Sequence, residues 1–173
     1  GRDEAKSIIC DAAGNVYICG MYSNGCSFGS TTLNTTGTLG YYDAFIAKYS
    51  PMGTLTWVKT AGGDYDDVAW GITKDNAGKL YITGEFNAYC LFDAIPLVTA
   101  GSTNAFVAGY DASGTALWAT KAGIATPGIN MTTRARGIGC DGNNLYITGQ
   151  FVSTATFGAY TLTAVDSSDV FFA

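Results

Sequence analysis

The feature that most constrains this chain is a tandem repeat. The segment Asn15-Val16-Tyr17-Ile18-Cys19-Gly20 returns as Lys79-Leu80-Tyr81-Ile82-Thr83-Gly84 and again as Asn144-Leu145-Tyr146-Ile147-Thr148-Gly149, so that its glycines stand 64 and 65 residues apart. A chain with a fixed internal period builds one supersecondary unit several times over, and each copy covers the face that its neighbour leaves open. A single sandwich does not repeat in this way, and a linear β-solenoid uses shorter coils.

The register holds on both sides of that segment. Each copy is preceded by Ala-x-(Ser/Gly)-Ile-x-x-Asp, at Ala5 to Asp11, Ala69 to Asp75 and Ala135 to Asp141, with Gly14, Gly78 and Gly142 close behind. Asp followed by Gly between two apolar runs predicts a hairpin, because Gly accepts positive φ and the carboxylate can hydrogen-bond the turn backbone. Beyond the repeated glycine come Phe28, Phe92 and Phe157, then Leu33, Leu97 and Leu162. Third strands are predicted at Asp43 to Tyr49, Asn104 to Tyr110 and Asp169 to Ala173, and fourth strands, in the first two copies, around Trp57 and Trp118. With 23 Gly and 3 Pro among 173 residues, and abundant Tyr, Phe, Thr and Ser, the composition is that of an all-β protein with many tight turns. Four antiparallel strands per unit of about 65 residues predict β-propeller blades. The expected division is 1–63 for the first blade, 64–128 for the second and 129–173 for an incomplete third, all within one propeller domain. Fewer than three full blades do not close a ring, so the chain is expected to be part of a longer protein or to associate with another chain.

The combined pattern Asp-x-x-Gly-Asn-x-Tyr-Ile-x-Gly, then Phe, then Asp-Ala-Phe-Ile-Ala-Lys-Tyr-Ser-x-x-Gly-x-Leu-x-Trp resembles the bacterial seven-bladed β-propeller (SBBP) repeat. It is carried by Asp11 to Gly20 with Asp43 to Trp57, and by Asp75 to Gly84 with Asn104 to Trp118. Gly109 stands where that repeat usually has lysine, and the third copy stops at Ala173, before its turn and tryptophan. The resemblance implies a secreted or cell-surface bacterial protein, and a repeat that carries no catalytic residues of its own.

Charge narrows the choice of partner. The formal net charge is −5, and the nine Lys and Arg do not cluster in sequence, with Arg134 and Arg136 the closest approach. Nucleic-acid binding needs a basic field, so that class is disfavoured. No apolar run reaches the length that spans a bilayer, so membrane insertion is not expected. The chain has five cysteines and no histidine, and no Cys-x-x-Cys. The usual zinc and haem arrangements therefore have little to build from, and no cofactor is expected. Cys26 and Cys90 fall at one repeat position and are read as small buried hydrophobes rather than a disulfide.

Candidate sites are few. Asp64, Asp66 and Asp67 could supply oxygen ligands to calcium, against a plainer reading as a solvated loop; the third copy has Asn130, Thr132 and Thr133 there. Asp11, Asp75 and Asp141 recur in register and read as turn formers. Trp57 and Trp118, with Tyr17, Tyr81 and Tyr146, read as spacers between blades. Tyr22, Tyr41, Tyr42, Tyr65, Phe86 and Tyr89 fall outside the repeating pattern and are the candidate partner-binding residues. No Gly-x-Ser-x-Gly elbow, no histidine base and no phosphate loop is present in the sequence. The reading is a non-enzymatic module that binds protein or glycan, or acts as a scaffold. The alternatives are part of a propeller lyase or hydrolase with its catalytic residues on other blades, and a subunit of a larger surface assembly.

Overall fold

The structure is a computed structural model that describes residues 1–37, 40–123 and 132–173, with residues 100–102 given by their backbone alone. The described residues form antiparallel strands and no helix. The first unit runs through β1 (Glu4–Cys10), β2 (Val16–Tyr22), the short hairpin β3 (Cys26–Phe28) and β4 (Thr31–Leu33), then β5 (Asp43–Tyr49) and β6 (Leu55–Gly62). Its sheet has the order β1-β2-β5-β6. The second unit has β7 (Val68–Lys74), β8 (Leu80–Phe92), β9 (Ile95–Tyr110) and β10 (Ala116–Ala122), each paired with the next. The third has β11 (Thr133–Cys140), β12 (Leu145–Phe151), the hairpin β13 (Thr154–Phe157) and β14 (Tyr160–Thr163), and β15 (Asp169–Phe172), in the order β11-β12-β15. This is the architecture of β-propeller blades. The expected junction at residues 128 and 129 lies outside the described residues.

The turn aspartates do what their position in the sequence implies. Asp11 Oδ1 accepts the N–H groups of Ala13 and Asn15, both at 2.9 Å, and its second oxygen accepts the Tyr17 hydroxyl at 3.1 Å. Asp75 and Asp141 repeat this with Lys79 N and Tyr81, and with Asn144 N and Tyr146. The Asn15 side chain, followed by the turn amides, holds the Asp11 carboxyl below its usual range. Each aspartate thus ties its hairpin turn to the tyrosine of the following strand.

One piece of the unit was not anticipated. Between the second and third long strands each copy inserts a hairpin: β3 with β4, the outer part of β8 with the start of β9, and β13 with β14. The reversals fall at Gly29, Asp93 and Gly158, whose φ values are +59°, +52° and +60°, directly after Phe28, Phe92 and Phe157. In the second unit this hairpin reaches back to pair Phe92 with Ala61 and Leu91 with Gly62, joining the first two sheets edge to edge.

The core lies between sheets and has a direction. Ala44 and Ile46 of the first sheet pack on Phe106, Ala108 and Tyr110 of the second, together with Leu80, Ile82 and Phe92. The alternate residues of β9, Ala105 and Val107, face the third sheet and pack with Ile147, Phe151 and Phe171. At one register, therefore, the Phe points to the preceding sheet and the Ile or Val to the following one. Val170 and Phe172 occupy the latter positions in the third sheet and are 83% and 73% exposed. Trp57 lies against Gly114 in a turn of the second unit and 6.3 Å from Tyr17, which fits a spacer between blades. Gly109 also finds its reason, since a Cβ there would lie 2.6 Å from the Trp118 indole nitrogen.

Candidate binding surface

The recurring glycine and the variable residue of Ala-x-(Ser/Gly)-Ile turn out to be two halves of one device. In β1, Ala5 pairs with Gly20 and Ser7 with Cys19, so Lys6 is an extra residue without a ladder partner. Trp70 is left over in the same way between Ala69↔Gly84 and Gly71↔Thr83, and Arg136 between Ala135↔Gly149 and Gly137↔Thr148. Each is a β-bulge, which bends the strand and re-aims one side chain. The bulge pushes the preceding carbonyl towards the partner strand. A Cβ on Gly20, Gly84 or Gly149 would lie 1.9 Å from the oxygen of Glu4, Val68 or Arg134. Glycine is required there by close approach and not by its freedom at positive φ.

The first strand of each unit lies beside its counterpart, with β7 between β1 and β11. The three bulges therefore deliver their side chains to one place. The Lys6 ammonium stands 4.5 Å from the centre of the Trp70 ring and the Arg136 guanidinium 3.9 Å from it, one from each flanking strand. Trp70 Nε1 donates to Glu85 Oε1 at 3.1 Å, and Glu85 is in turn ion-paired with Arg134. Glu4 pairs with both Lys6 and Arg2, and the Lys6 contact leads the causes that hold its carboxyl below the usual range. Cations scattered along the sequence are thus collected around one aromatic ring.

The sequence-predicted candidates are distributed differently. Tyr22 and Phe86 are corrected from surface aromatics to core residues. Each stands two places after the repeated glycine, as does Phe151, and all three are buried. The Tyr22 hydroxyl has two acceptors within reach for its one hydrogen, Asn34 O at 3.2 Å and Asp43 Oδ2 at 3.3 Å, while Phe86 packs in the core between the first two sheets. Tyr41 and Tyr65 meet edge to face at 5.3 Å, Tyr42 is half-buried beside them in sequence, and Tyr89 is exposed on β8. They do not converge on the bulge residues.

The calcium candidates do not gather into one site. Among the described residues no group of three acidic, Cys or His side chains could hold a metal ion. Asp66 Oδ1 accepts the Tyr42 N–H at 3.1 Å, and Asp67 turns inward, fully buried, accepting the Asn87 N–H at 3.3 Å. Burial, reinforced by the charges of Asp43 and Asp66, pushes the Asp67 carboxyl up to about 9. Asn130 lies outside the described residues.

All five cysteines are free, with Cys19 and Cys90 buried and Cys26 half-buried. Cys90 stands beside Asp67, and Cys26 beside Asp3 at the same repeat positions, whereas the third unit has Ala155 and Thr133 there. The pair is exchanged as a pair. Between the second and third sheets lies a cleft of about 320 Å³, lined by Trp118, Lys121, Leu145, Ile147, Phe157 and Ala173.

No family model matches the chain. It is similar to an uncharacterised WD repeat-containing protein of Acanthamoeba polyphaga mimivirus, 33% identical over 87 residues. The match covers 46% of this chain and 6% of that protein. A partial likeness to a repeat protein of this kind agrees with the propeller-type fold seen here. It does not reproduce the likeness to bacterial SBBP repeats, because the relative is viral.

Proposed function

We propose that the chain is a non-enzymatic segment of a β-propeller that binds a partner protein across its innermost strands. The observation that carries this reading is the convergence of Lys6, Trp70 and Arg136. Three backbone-equivalent positions, each freed from the ladder by a bulge, hold three different side chains on one surface. Elsewhere in the repeat, recurring polar residues serve the fold, as the aspartates of the hairpin turns do. Repeat proteins with this division between fixed frame and variable surface use the surface for recognition. The likeness to a WD repeat-containing protein supports the same reading.

The test is site-directed photo-cross-linking in the organism of origin. A benzophenone side chain at position 6 or 136 is expected to capture a discrete protein partner, and one at Thr56, an exposed bulge residue of the outer strand β6, is not. Equal capture from all three positions, or none from 6 and 136, overturns the proposal.

A further inference from the structure

Resting on the reading of the inner strands as a binding surface, we infer that Lys6, Trp70 and Arg136 form a receptor for carboxylate side chains of an acidic peptide segment. Lys6 and Arg136 stand over the Trp70 ring, and the ion pairs that lead out from it, through Glu4 to Arg2 and through Glu85 to Arg134, bring the connected set to four cations and two carboxylates. The patch therefore carries an excess of two positive charges on a chain whose formal net charge is −5. A local field of that sign, against the protein's overall charge, steers anions to this surface and not to the rest.

The cations are not equally engaged. Arg134 is ion-paired with Glu85, and Lys6 shares Glu4 with Arg2. Arg136 is exposed and has no carboxylate partner among the described residues; its contact is with the face of Trp70. A guanidinium that stacks through its flat face keeps its N–H edge for bidentate hydrogen bonds in its own plane, the geometry a carboxylate matches. The ring beneath it is held by its Nε1 bond to Glu85, so the fork is supported before any ligand arrives.

Two other anionic or aromatic-seeking ligands fit less well. A sugar ring needs a free aromatic face, and the Trp70 ring already carries one cation from β1 and a second from β11. A phosphate brings close to two negative charges beside Glu4 and Glu85, whereas a carboxylate brings one. An extended acidic segment of a protein can present successive carboxylates to Arg136 and Lys6 across the three strands.

The experiment uses fluorescence anisotropy with the intact chain and a fluorescein-labelled peptide of alternating Glu and Ser. Saturable binding is expected, at least ~tenfold tighter than for the same peptide with Gln in place of Glu, and weakened by added salt. Arg136→Gln and Lys6→Gln should each weaken it by about fivefold or more while leaving the circular dichroism spectrum unchanged, and Lys59→Gln on β6 should not. Equal affinity for the Glu and Gln peptides, absence of saturable binding, or an Arg136→Gln variant that binds like the parent overturns the inference. So does preferential displacement by oligoglucuronate or by a phosphoserine peptide, which would assign the patch to those ligands. If the acidic peptide fails while cross-linking from position 136 persists, the ligand class is wrong and the binding surface stands; if both fail, both readings fall.

Discussion

At the scale of single residues, the most demanding position is the glycine opposite each bulge. In Gly84→Ala the new methyl meets the Val68 carbonyl at 1.9 Å, backbone against backbone, with Phe106 behind it at 2.8 Å. We expect a loss of about 3 kcal/mol, read as a fall in the chemical denaturation midpoint. A loss below about 0.5 kcal/mol would mean the bulge can relax. Asp67 makes a second test. Its carboxyl holds a proton to about pH 9 in the folded chain, while in the unfolded chain it gives that proton up near the ordinary carboxyl value. The native state therefore binds more protons between those limits, and stability falls as pH rises from about 4 towards 9. Asp67→Asn keeps an acceptor for the Asn87 amide and does not titrate. Its melting temperature should fall less between pH 5 and pH 8 than that of the parent, and equal slopes would show that Asp67 is ionised in the fold.

At the scale of elements, the long strands were legible because their repeats coincide with hydrogen-bonding needs that sequence alone exposes. Asp before Gly, tyrosine two residues after Asn15 or Lys79, and the run Ala44-Phe45-Ile46-Ala47 each mark a turn or an alternating face. The inserted hairpins were not legible. Their strands are as short as three residues, and the residue in the left-handed turn is Gly29, Asp93 or Gly158, so no single dipeptide repeats. Tyr22 and Phe86 were misplaced for a related reason, since Tyr, Phe and Phe at one register do not look alike until the sheet buries all three. The bulges leave only an indirect trace, the variable x in an otherwise regular motif, and variability alone does not say that neighbouring strands will bring those positions together. Thiol chemistry tests the element packing. With burial pushing the Cys19 thiol up to about 12 and the Cys90 thiol well above its ordinary range, neither should react with a disulfide reagent at pH 8, while exposed Cys10 reacts at once. Labelling of Cys90 in the folded protein would contradict the buried joint between the first two sheets.

At the scale of the whole molecule, the direction of packing sets which apolar side chains each sheet turns towards the next. Each sheet offers Ile or Val to the next and Phe to the one before, so the third sheet leaves Val170 and Phe172 in the open beside the half-exposed Tyr146. Replacing both Val170 and Phe172 with lysine should lower any concentration-dependent association seen in light scattering, and should lower the melting temperature by only a few degrees, because Val170 is 83% exposed and Phe172 gives up little beyond its stacking on Tyr146 at 5.7 Å. Association that persists undiminished in this variant would locate the associating face elsewhere. The bulges have a different consequence. Since Lys6, Trp70 and Arg136 have no partner in the ladder, exchanging them disturbs no rung between strands, and three sockets on one arc can be re-lettered independently of the frame that holds them. A repeat built this way can acquire a new addressee by changing one letter per blade, at little risk to folding.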